Sequence, residues 1–229
     1  MTTNWRRELP SLLLLAVMLV LLATTWPAAP DRVPVHWNAA GEIDGYGSRA
    51  MGLLLPPALA LGLYLLLLLV PRVDPGRANY ANFPDTYLVI RTAVLATIAV
   101  FYGVTCVSAR GVAVSMDVVA PLTVGTLFVV LGSVMGKIRP NWFVGIRTPW
   151  TISSKTSWVR THRLGGWLFL ALGLAFVANA LTGRRWAAEW IVGGVVAMVV
   201  TLFAYSYLVW RTDPDKVPPA GTLPGNDGE

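Results

Sequence analysis

Charged side chains are scarce in this chain of 229 residues, of which only 13% are Asp, Glu, Lys or Arg. Soluble domains carry about 25% charged residues. With half that share the chain lacks the polar surface that a water-soluble globule needs, and its mean hydropathy is +0.59. The composition therefore excludes an ordinary soluble domain.

The uncharged residues are gathered into six runs of 18 to 22 residues. A hydrocarbon core of about 30 Å is crossed by about 20 helical residues at about 1.5 Å each. The leucine-rich stretch 61–70 shows none of the alternation of a barrel strand, so helices are the plausible spanning structure. We predict an all-α integral membrane protein, a six-transmembrane-helix bundle formed by residues 9–30, 50–71, 92–109, 118–136, 164–183 and 190–210.

Cysteine and histidine are almost absent, with one cysteine, Cys106, and two histidines, His36 and His162. A lone thiol cannot close an intrachain disulfide, and the ligands of a structural zinc site are missing. The motifs GxSxG, HExxH and GxxxxGK[ST] do not occur in the sequence. We expect a protein that is not an enzyme and has neither a cofactor nor a bound metal ion.

The basic residues are distributed unevenly between the connecting segments, and Lys and Arg favour short cytoplasmic loops. A cytoplasmic N-terminus places more of them inside than outside, so we predict that both the N- and C-termini are cytoplasmic. The net charge of +6 then reflects membrane topology and not direct contact with nucleic acid. The inner set is Arg6, Arg7, Arg72, Arg77, Lys137, Arg139, Arg147, Lys155, Arg160, Arg163, Arg211 and Lys216, and the outer set is Arg32, Arg49, Arg110, Arg184 and Arg185.

The two ends of the chain require separate interpretation. A cleaved signal peptide is the alternative to a retained first helix, because Arg6 and Arg7 precede an apolar run. The run is longer than a typical signal sequence, and Trp26 and Pro27 make a poor approach to a cleavage site. We therefore expect one membrane domain over residues 1–211. Residues 212–229, rich in proline and glycine, are expected to form a disordered cytoplasmic tail.

The helix interiors offer packing signals but little chemistry. Arg91 follows Asp85 by six residues, about 9 Å of helix, and is expected to snorkel back to the inner interface. Gly132 and Gly136 form a GxxxG pair, which favours internal packing or dimerisation equally. Acidic residues are missing from the interior of all six runs, which counts against ion-coupled transport.

The outer loop, residues 30–49, is longer and more polar than a minimal connector. Its glycines mark turns, so we predict a compact folded cap at the outer surface. One imidazole and two carboxylates could bind a divalent metal ion, but a hydrogen-bonded loop core is preferred. Recognition of a peptide or a lipid headgroup is the second functional option. The candidate residues are His36, Trp37, Asn38, Glu42 and Asp44.

The inner motif loop, residues 136–163, is broken into turns by prolines and a glycine. Ser153 or Ser154 is expected to cap a short helix that runs toward Arg163. Trp158 and His162 lie four apart, on one face of that helix. Such a basic segment would lie against anionic lipid of the inner leaflet, or would form a docking surface for a cytoplasmic partner.

The two loops resemble a known family. The inner segment GKIRPNWFVGIRTPWTISS, followed by WVRTHRLGG, is similar to the signature of the SdpI family of bacterial membrane proteins. The outer segment VPVHWNAAGEIDGYGSR resembles a small domain of unknown function often found at the N-terminus of such proteins. The connection VDPGRANYANF also fits, so the resemblance spans residues 33–210.

The resemblance implies toxin immunity, since the founding member of the family protects its cell from a secreted membrane-active peptide. That member also relays the presence of the toxin by holding a cytoplasmic repressor at the membrane. By the same resemblance, the inner-loop positions that match the motif are candidates for ligand or partner contact. They are Lys137, Arg139, Asn141, Arg147, Thr148, Pro149, Trp150, Arg160, His162 and Arg163.

The expected function is therefore non-enzymatic immunity or signal relay in the bacterial cytoplasmic (inner) membrane. Expected partners are the lipid bilayer, a peptide toxin at the outer face, a cytoplasmic transcriptional repressor and, as an open option, a second copy of the chain. A small transporter or efflux factor for peptides or lipids is the alternative. A membrane-embedded enzyme ranks last.

Overall fold

A computed structural model describes residues 5–182 and 188–217. In that part of the chain, six helical segments are long and apolar enough to cross a membrane, which confirms the six predicted spans. The chain is a multi-pass membrane protein. The spans are Trp5–Ala28, Arg49–Val73, Pro84–Ala109, Met116–Met135, Lys155–Thr182 and Val192–Arg211.

The helices extend beyond the uncharged runs, because charged residues near the ends of a span can still be helical at the membrane surface. The third span begins at Pro84, not at residue 92, and the fifth at Lys155, not at residue 164. A proline in the first turn is compatible with helix initiation, since its missing N–H would have no partner there. The helices are α1 (Trp5–Thr25, continued by the 3₁₀ turn Trp26–Ala28), α2 (Arg49–Leu53), α3 (Leu55–Val73), α4 (Pro84–Ala109), α5 (Met116–Met135), α6 (Pro149–Ser153), α7 (Lys155–Thr182) and α8 (Ala188–Arg211).

The predicted cap between α1 and α2 is a β-hairpin, so the strictly all-α prediction is corrected to a mostly helical fold. Strand β1 (Arg32–Trp37) pairs antiparallel with β2 (Ile43–Ser48), with irregular pairing around His36. Gly41 adopts φ +82° in the connecting turn, a conformation that favours glycine. Val33 of β1 is fully buried and packs in one apolar core with residues of the helices, which anchors the hairpin to them.

Helices α5 and α7 form the closest helix pair, and two glycine pairs explain the approach. A Cβ atom on Gly132 would lie 2.7 Å from the carbonyl oxygen of Gly166, and one on Gly125 would lie 2.8 Å from that of Gly173. Small residues let helix backbones meet in this way. Gly132 therefore serves internal packing. Its GxxxG partner Gly136 has no atom within 4 Å of its Cβ position.

The helices enclose two apolar cores, one near each end of the bundle. The first, at the hairpin end, includes Val33, Leu95, Tyr102 and Cys106, and the single thiol is fully buried as a small apolar residue. The second core lies at the opposite end, which we call the motif end, and contains Trp158. Helix α4 contributes to both cores, so it connects the two ends of the molecule.

Candidate functional site at the motif end

The motif end is built from two loops that fold onto the start of α7. They are the connector, residues 74–83, and the part of the predicted inner loop that precedes α7, residues 136–154. We call this shorter segment the motif loop. The Oγ atom of Ser154 accepts a hydrogen bond from the backbone N–H of Ser157 at 2.8 Å, as an N-cap of α7. Ser154 is thus the cap, but the prediction of a separate short helix was wrong. The predicted segment forms the first turns of a continuous helix of 28 residues.

Trp158 and His162 share one face of α7 as predicted, but that face is turned into the protein and not toward lipid. Each residue is only 1% exposed, and their rings stack with centroids 4.2 Å apart. The indole N–H of Trp158 donates to the carbonyl oxygen of Ile138 at 2.9 Å. The two side chains are buried because the motif loop folds over this face of α7 and is hydrogen-bonded to both of them.

The imidazole of His162 holds the centre of the motif loop. Its Nε2 accepts a hydrogen bond from the backbone N–H of Ile146 at 3.0 Å, and its Nδ1 lies 2.8 Å from the carbonyl oxygen of Trp158. These partners require a proton on Nδ1 and none on Nε2, which is the neutral tautomer. Gly145 has φ +112°, and a Cβ atom there would lie 2.3 Å from Nε2. A glycine is therefore needed where the loop crosses the ring.

Asn141 organises the first turn of the motif loop from a buried position. Its side-chain oxygen accepts from the backbone N–H groups of Phe143 and Val144 at 2.9 and 2.6 Å. Its amide group donates to the carbonyl oxygens of Arg139 and Val144, both at 2.9 Å. Such a side chain replaces the backbone partners that an irregular loop lacks.

Asp74 joins the connector to the motif loop, and sequence analysis did not select it. Its carboxylate accepts from the backbone N–H of Gly76 at 2.5 Å, the hydroxyl of Tyr80 at 2.8 Å and the backbone N–H of Trp142 at 3.0 Å. Burial, reinforced by the hydrogen bond to Asp74, raises the pKa of the Tyr80 hydroxyl, which stays protonated. The Asp-Pro-Gly turn after an apolar run was the available signal.

Thr148 begins the short helix α6 and ties it to α8. The Thr148 and Thr151 side chains each accept from the backbone N–H of the other, which is a reciprocal capping box. The Thr148 hydroxyl also donates to the Ser206 hydroxyl at 3.0 Å. Pro149 occupies the first helical position, and the Trp150 ring packs edge-on against Phe203, with centroids 4.6 Å apart.

The beginning of the predicted tail also contacts this end. Ser154 donates a hydrogen bond to the carboxylate of Asp213, which is 5% exposed. That bond holds the pKa of the Asp213 carboxyl below its usual range. The backbone N–H of Val217 donates to the carbonyl oxygen of Ser153 at 2.9 Å. Residues 218–229 of the predicted tail lie outside the described residues.

The remaining motif residues face outward and form what we call the basic motif surface. Arg147 donates a hydrogen bond to the carbonyl oxygen of Trp142. The Trp142 side chain is 52% exposed and lies beside these cations. Phe143 is 44% exposed. Cations beside exposed aromatic rings suit a phospholipid interface or an acidic protein surface. The basic members are Lys137, Arg139, Arg147, Arg160 and Arg163, all exposed.

The predicted outer-loop residues occupy the hairpin as two separate hydrogen-bonded pairs. His36 Nδ1 lies 2.5 Å from a carboxylate oxygen of Asp44, and Asn38 donates to Glu42 at 3.1 Å. Trp37 sits opposite Ile43 in the strand pairing and is half-buried, so the hairpin is the hydrogen-bonded cap that was preferred. Within residues 5–182 and 188–217, no three His, Cys, Asp or Glu side chains come together as a metal site.

Arg91 corrects a further prediction, since its side chain does not snorkel outward but pairs with Glu8 inside the bundle. It is 5% exposed and pairs with Glu8, the guanidinium and carboxylate being 2.5 Å apart. Helix α1 begins at Trp5, four residues before the apolar run, and this places Glu8 inside the bundle opposite α4. The Tyr64 hydroxyl also donates to Glu8 at 3.2 Å. The pair is a buried charged contact that sequence reasoning missed.

Comparison with known proteins found matches in the first and last parts of the chain. Residues 137–210 match the SdpI/YfhL protein family, and residues 13–61 match a domain of unknown function, DUF1648. The chain is 21% identical over 206 residues to the Immunity protein SdpI of Bacillus subtilis (strain 168), covering 88% of this chain and 96% of that protein. No solved structure matches significantly. The predicted family resemblance is thereby confirmed.

Proposed function

Because residues 137–210 match the SdpI/YfhL family, we propose that this membrane protein acts in immunity and signal relay. In this proposal it confers resistance to a membrane-active peptide, or senses it, at the outer face. It then contacts a cytoplasmic partner, or inner-leaflet lipid, through the basic motif surface. The partner proposed by analogy with the family is a transcriptional repressor. The mechanism requires no enzymatic step.

One observation supports the proposal most strongly: a single bundle has a folded polar structure at each end. Helix α4 packs against strand β1 at the hairpin end, and its first turns place Tyr87 in the aromatic cluster with Tyr80 at the motif end. A peptide that displaces the hairpin could thus shift α4 and, through it, the connector. Coupling between two sites needs such a shared element.

The proposed arrangement in the cell follows the distribution of basic residues. The protein lies in the bacterial cytoplasmic membrane, with residues 1–211 as one membrane domain and both termini in the cytoplasm. The tail, residues 212–229, then starts beside the motif loop, where Asp213 meets Ser154. The hairpin faces the outer aqueous phase.

Expression in a bacterium that is sensitive to a membrane-active peptide and lacks its own immunity protein tests the proposal. The native chain should raise survival, and replacing Arg139 and Arg163 together by Gln should abolish the gain. Replacing Arg6 and Arg211 by Gln is the matched control, since it removes two exposed cations of the same end that lie outside the basic motif surface. Membrane abundance of each variant must be equal. Equal survival with and without the native chain would end the immunity proposal.

The relay part has its own measurement. Arg147→Ala and Arg163→Ala should leave the protein inserted but release its cytoplasmic partner from the membrane fraction. If the proteins that cross-link to the native chain stay in the membrane fraction with both variants, signal relay is contradicted. That outcome would not bear on the proposed resistance function.

Transport of a peptide or lipid is the alternative, and the buried Glu8–Arg91 pair favours it. Ionisable groups at membrane depth often mark a substrate pathway. Purified protein in liposomes decides between the two functions. Flux of a fluorescent peptide or lipid through the native protein would assign transport, whereas resistance without any flux would assign immunity.

A further inference from the structure

A cavity of about 670 Å³ opens at the motif end between α1, α3, α4 and the connector. It lies apart from the basic motif surface, since neither the motif loop nor α7 lines it. Its floor is the buried Glu8–Arg91 pair, and its rim carries arginines from α1, α3 and the connector. The cavity plays no part in the proposed immunity function.

The lining is strongly basic. Arg7, Arg72, Arg77 and Arg91 all border the cavity, and Glu8 is the only acidic residue among the lining groups, so the lining has a net charge of +3. Asp85 pairs with Arg7 at 3.3 Å but is 80% exposed and stands outside the cavity. Such a site attracts an anion.

Arg91 has a buried hydrogen-bond donor without an acceptor in the described part of the chain, which points to a ligand. Its Nε atom is buried and has no hydrogen-bond partner among the described residues. One of its terminal nitrogens already donates to the Glu8 carboxylate, and the Tyr64 hydroxyl donates to the same carboxylate oxygen. A buried N–H without an acceptor is costly and rare in folded proteins. Arg91 also lines the cavity, so an anion that binds there is a candidate for the missing acceptor.

The position of the cavity along the membrane normal indicates the class of anion. Arg91 is seven residues after Pro84, about 10 Å along α4, so the cavity runs from the aqueous surface to the depth of lipid headgroups. Its wall also includes Leu68 and Leu88, against which an acyl chain can pack. A free inorganic anion would not use these apolar side chains.

We propose that this cavity binds an anionic phospholipid, with Arg91 and Arg77 donating hydrogen bonds to its phosphate group. Guanidinium groups suit this role, because their planar arrangement of N–H donors matches phosphate oxygens. Arg77 reaches the cavity from the connector, whose Asp74 and Tyr80 hold the motif loop. The bound lipid would therefore brace the connector against α4.

Lipid binding to the purified full-length protein tests the proposal. Native mass spectrometry should measure retention of short-chain phosphatidylglycerol, with short-chain phosphatidylcholine and inorganic phosphate as the two comparison ligands. Phosphatidylglycerol should bind most tightly. Arg77→Gln should weaken it about fivefold, the effect of one basic residue at an anionic lipid surface. Arg211→Gln is the matched control, an exposed cation of the same end that lies outside both the cavity and the basic motif surface.

A second variant reports on the buried donor. Arg91→Lys keeps the positive charge beside Glu8 but removes the Nε–H, so it should lower phosphatidylglycerol affinity while preserving the protein's elution on gel filtration. If it misfolds, Arg77→Gln still decides the question. Equal affinity for phosphatidylglycerol and phosphatidylcholine would overturn the site. Equal loss of affinity in Arg77→Gln and Arg211→Gln would overturn it as well. Equal affinity for phosphatidylglycerol and inorganic phosphate would overturn the lipid assignment.

Discussion

The backbone N–H of Ile146 donates a hydrogen bond of 3.0 Å to Nε2 of His162, sixteen residues further along the chain. This bond couples the middle of the motif loop to the second turn of α7. The acceptor is sheltered from water, since His162 is 1% exposed, and Ile146 is partly buried. In this chain His162 thus maintains the geometry of the motif loop, while the arginines of the basic motif surface remain exposed.

Replacing His162 by Phe should loosen the motif loop. The substitution keeps a ring beside Trp158 but removes the acceptor for Ile146, and a buried N–H without a partner costs about 1–3 kcal/mol. Thermal unfolding in detergent should shift downward, and trypsin should cleave at Arg147 faster. Arg160→Ala, on the exposed face of the same helix, should change neither. Identical cleavage rates for native and His162→Phe protein would rule out this role.

Gly132→Ala should separate α5 from α7. A methyl group there meets the Gly166 carbonyl oxygen at 2.7 Å, and overpacking of this kind costs about 1–3 kcal/mol. The measurement is the free energy of unfolding in mixed micelles. Gly136→Ala is a close control, because its Cβ position is open and its φ of −65° suits alanine. Equal destabilisation by both changes would refute the proposed backbone contact.

Glu8→Gln should destabilise the bundle strongly. It leaves the charge of Arg91 buried without its counter-ion, and breaking a buried pair costs about 3–5 kcal/mol. The neighbouring Arg7–Asp85 pair is exposed, so Asp85→Asn should cost about 1 kcal/mol or less. Unfolding of both variants by heat in the same detergent gives the comparison. A smaller loss for Glu8→Gln than for Asp85→Asn would contradict the burial of this pair.

Single cysteines should report the two-sided topology. Cys106 is fully buried, so the native protein should react little with an impermeant maleimide. In intact cells, Asp44→Cys should be labelled from outside, and Lys155→Cys only after permeabilisation. Both positions are exposed, so accessibility to the reagent depends on the membrane alone. Equal labelling of both cysteines in intact cells would contradict the prediction that the two loops lie on opposite sides of the membrane.

Sequence patterns were sufficient for the helical spans, because the solvent preference of about 20 consecutive apolar residues is a local property. They also located both polar loops and the pairing of Trp158 with His162 on one helix face. They did not reveal the hairpin strands around His36. There, irregular pairing and a proline obscure the alternation on which strand prediction depends.

The buried contacts at the motif end could not be found in this way, since their partners are far apart along the chain. Asp74 and Trp142 are separated by 68 residues, and Glu8 and Arg91 by 83. Nothing in the sequence near Arg91 indicates whether it snorkels or pairs. That choice depends on which helix packs against α4.

The amino-acid sequence alone determined that the chain has six segments long and apolar enough to cross a membrane and two polar segments between them. The reason is that transfer of apolar side chains from water depends on composition and length. Only the tertiary structure decided which polar residues hold the fold and which remain exposed. Hydrogen bonds and ion pairs need atoms within about 3 Å, and distances between remote segments arise only when the helices pack.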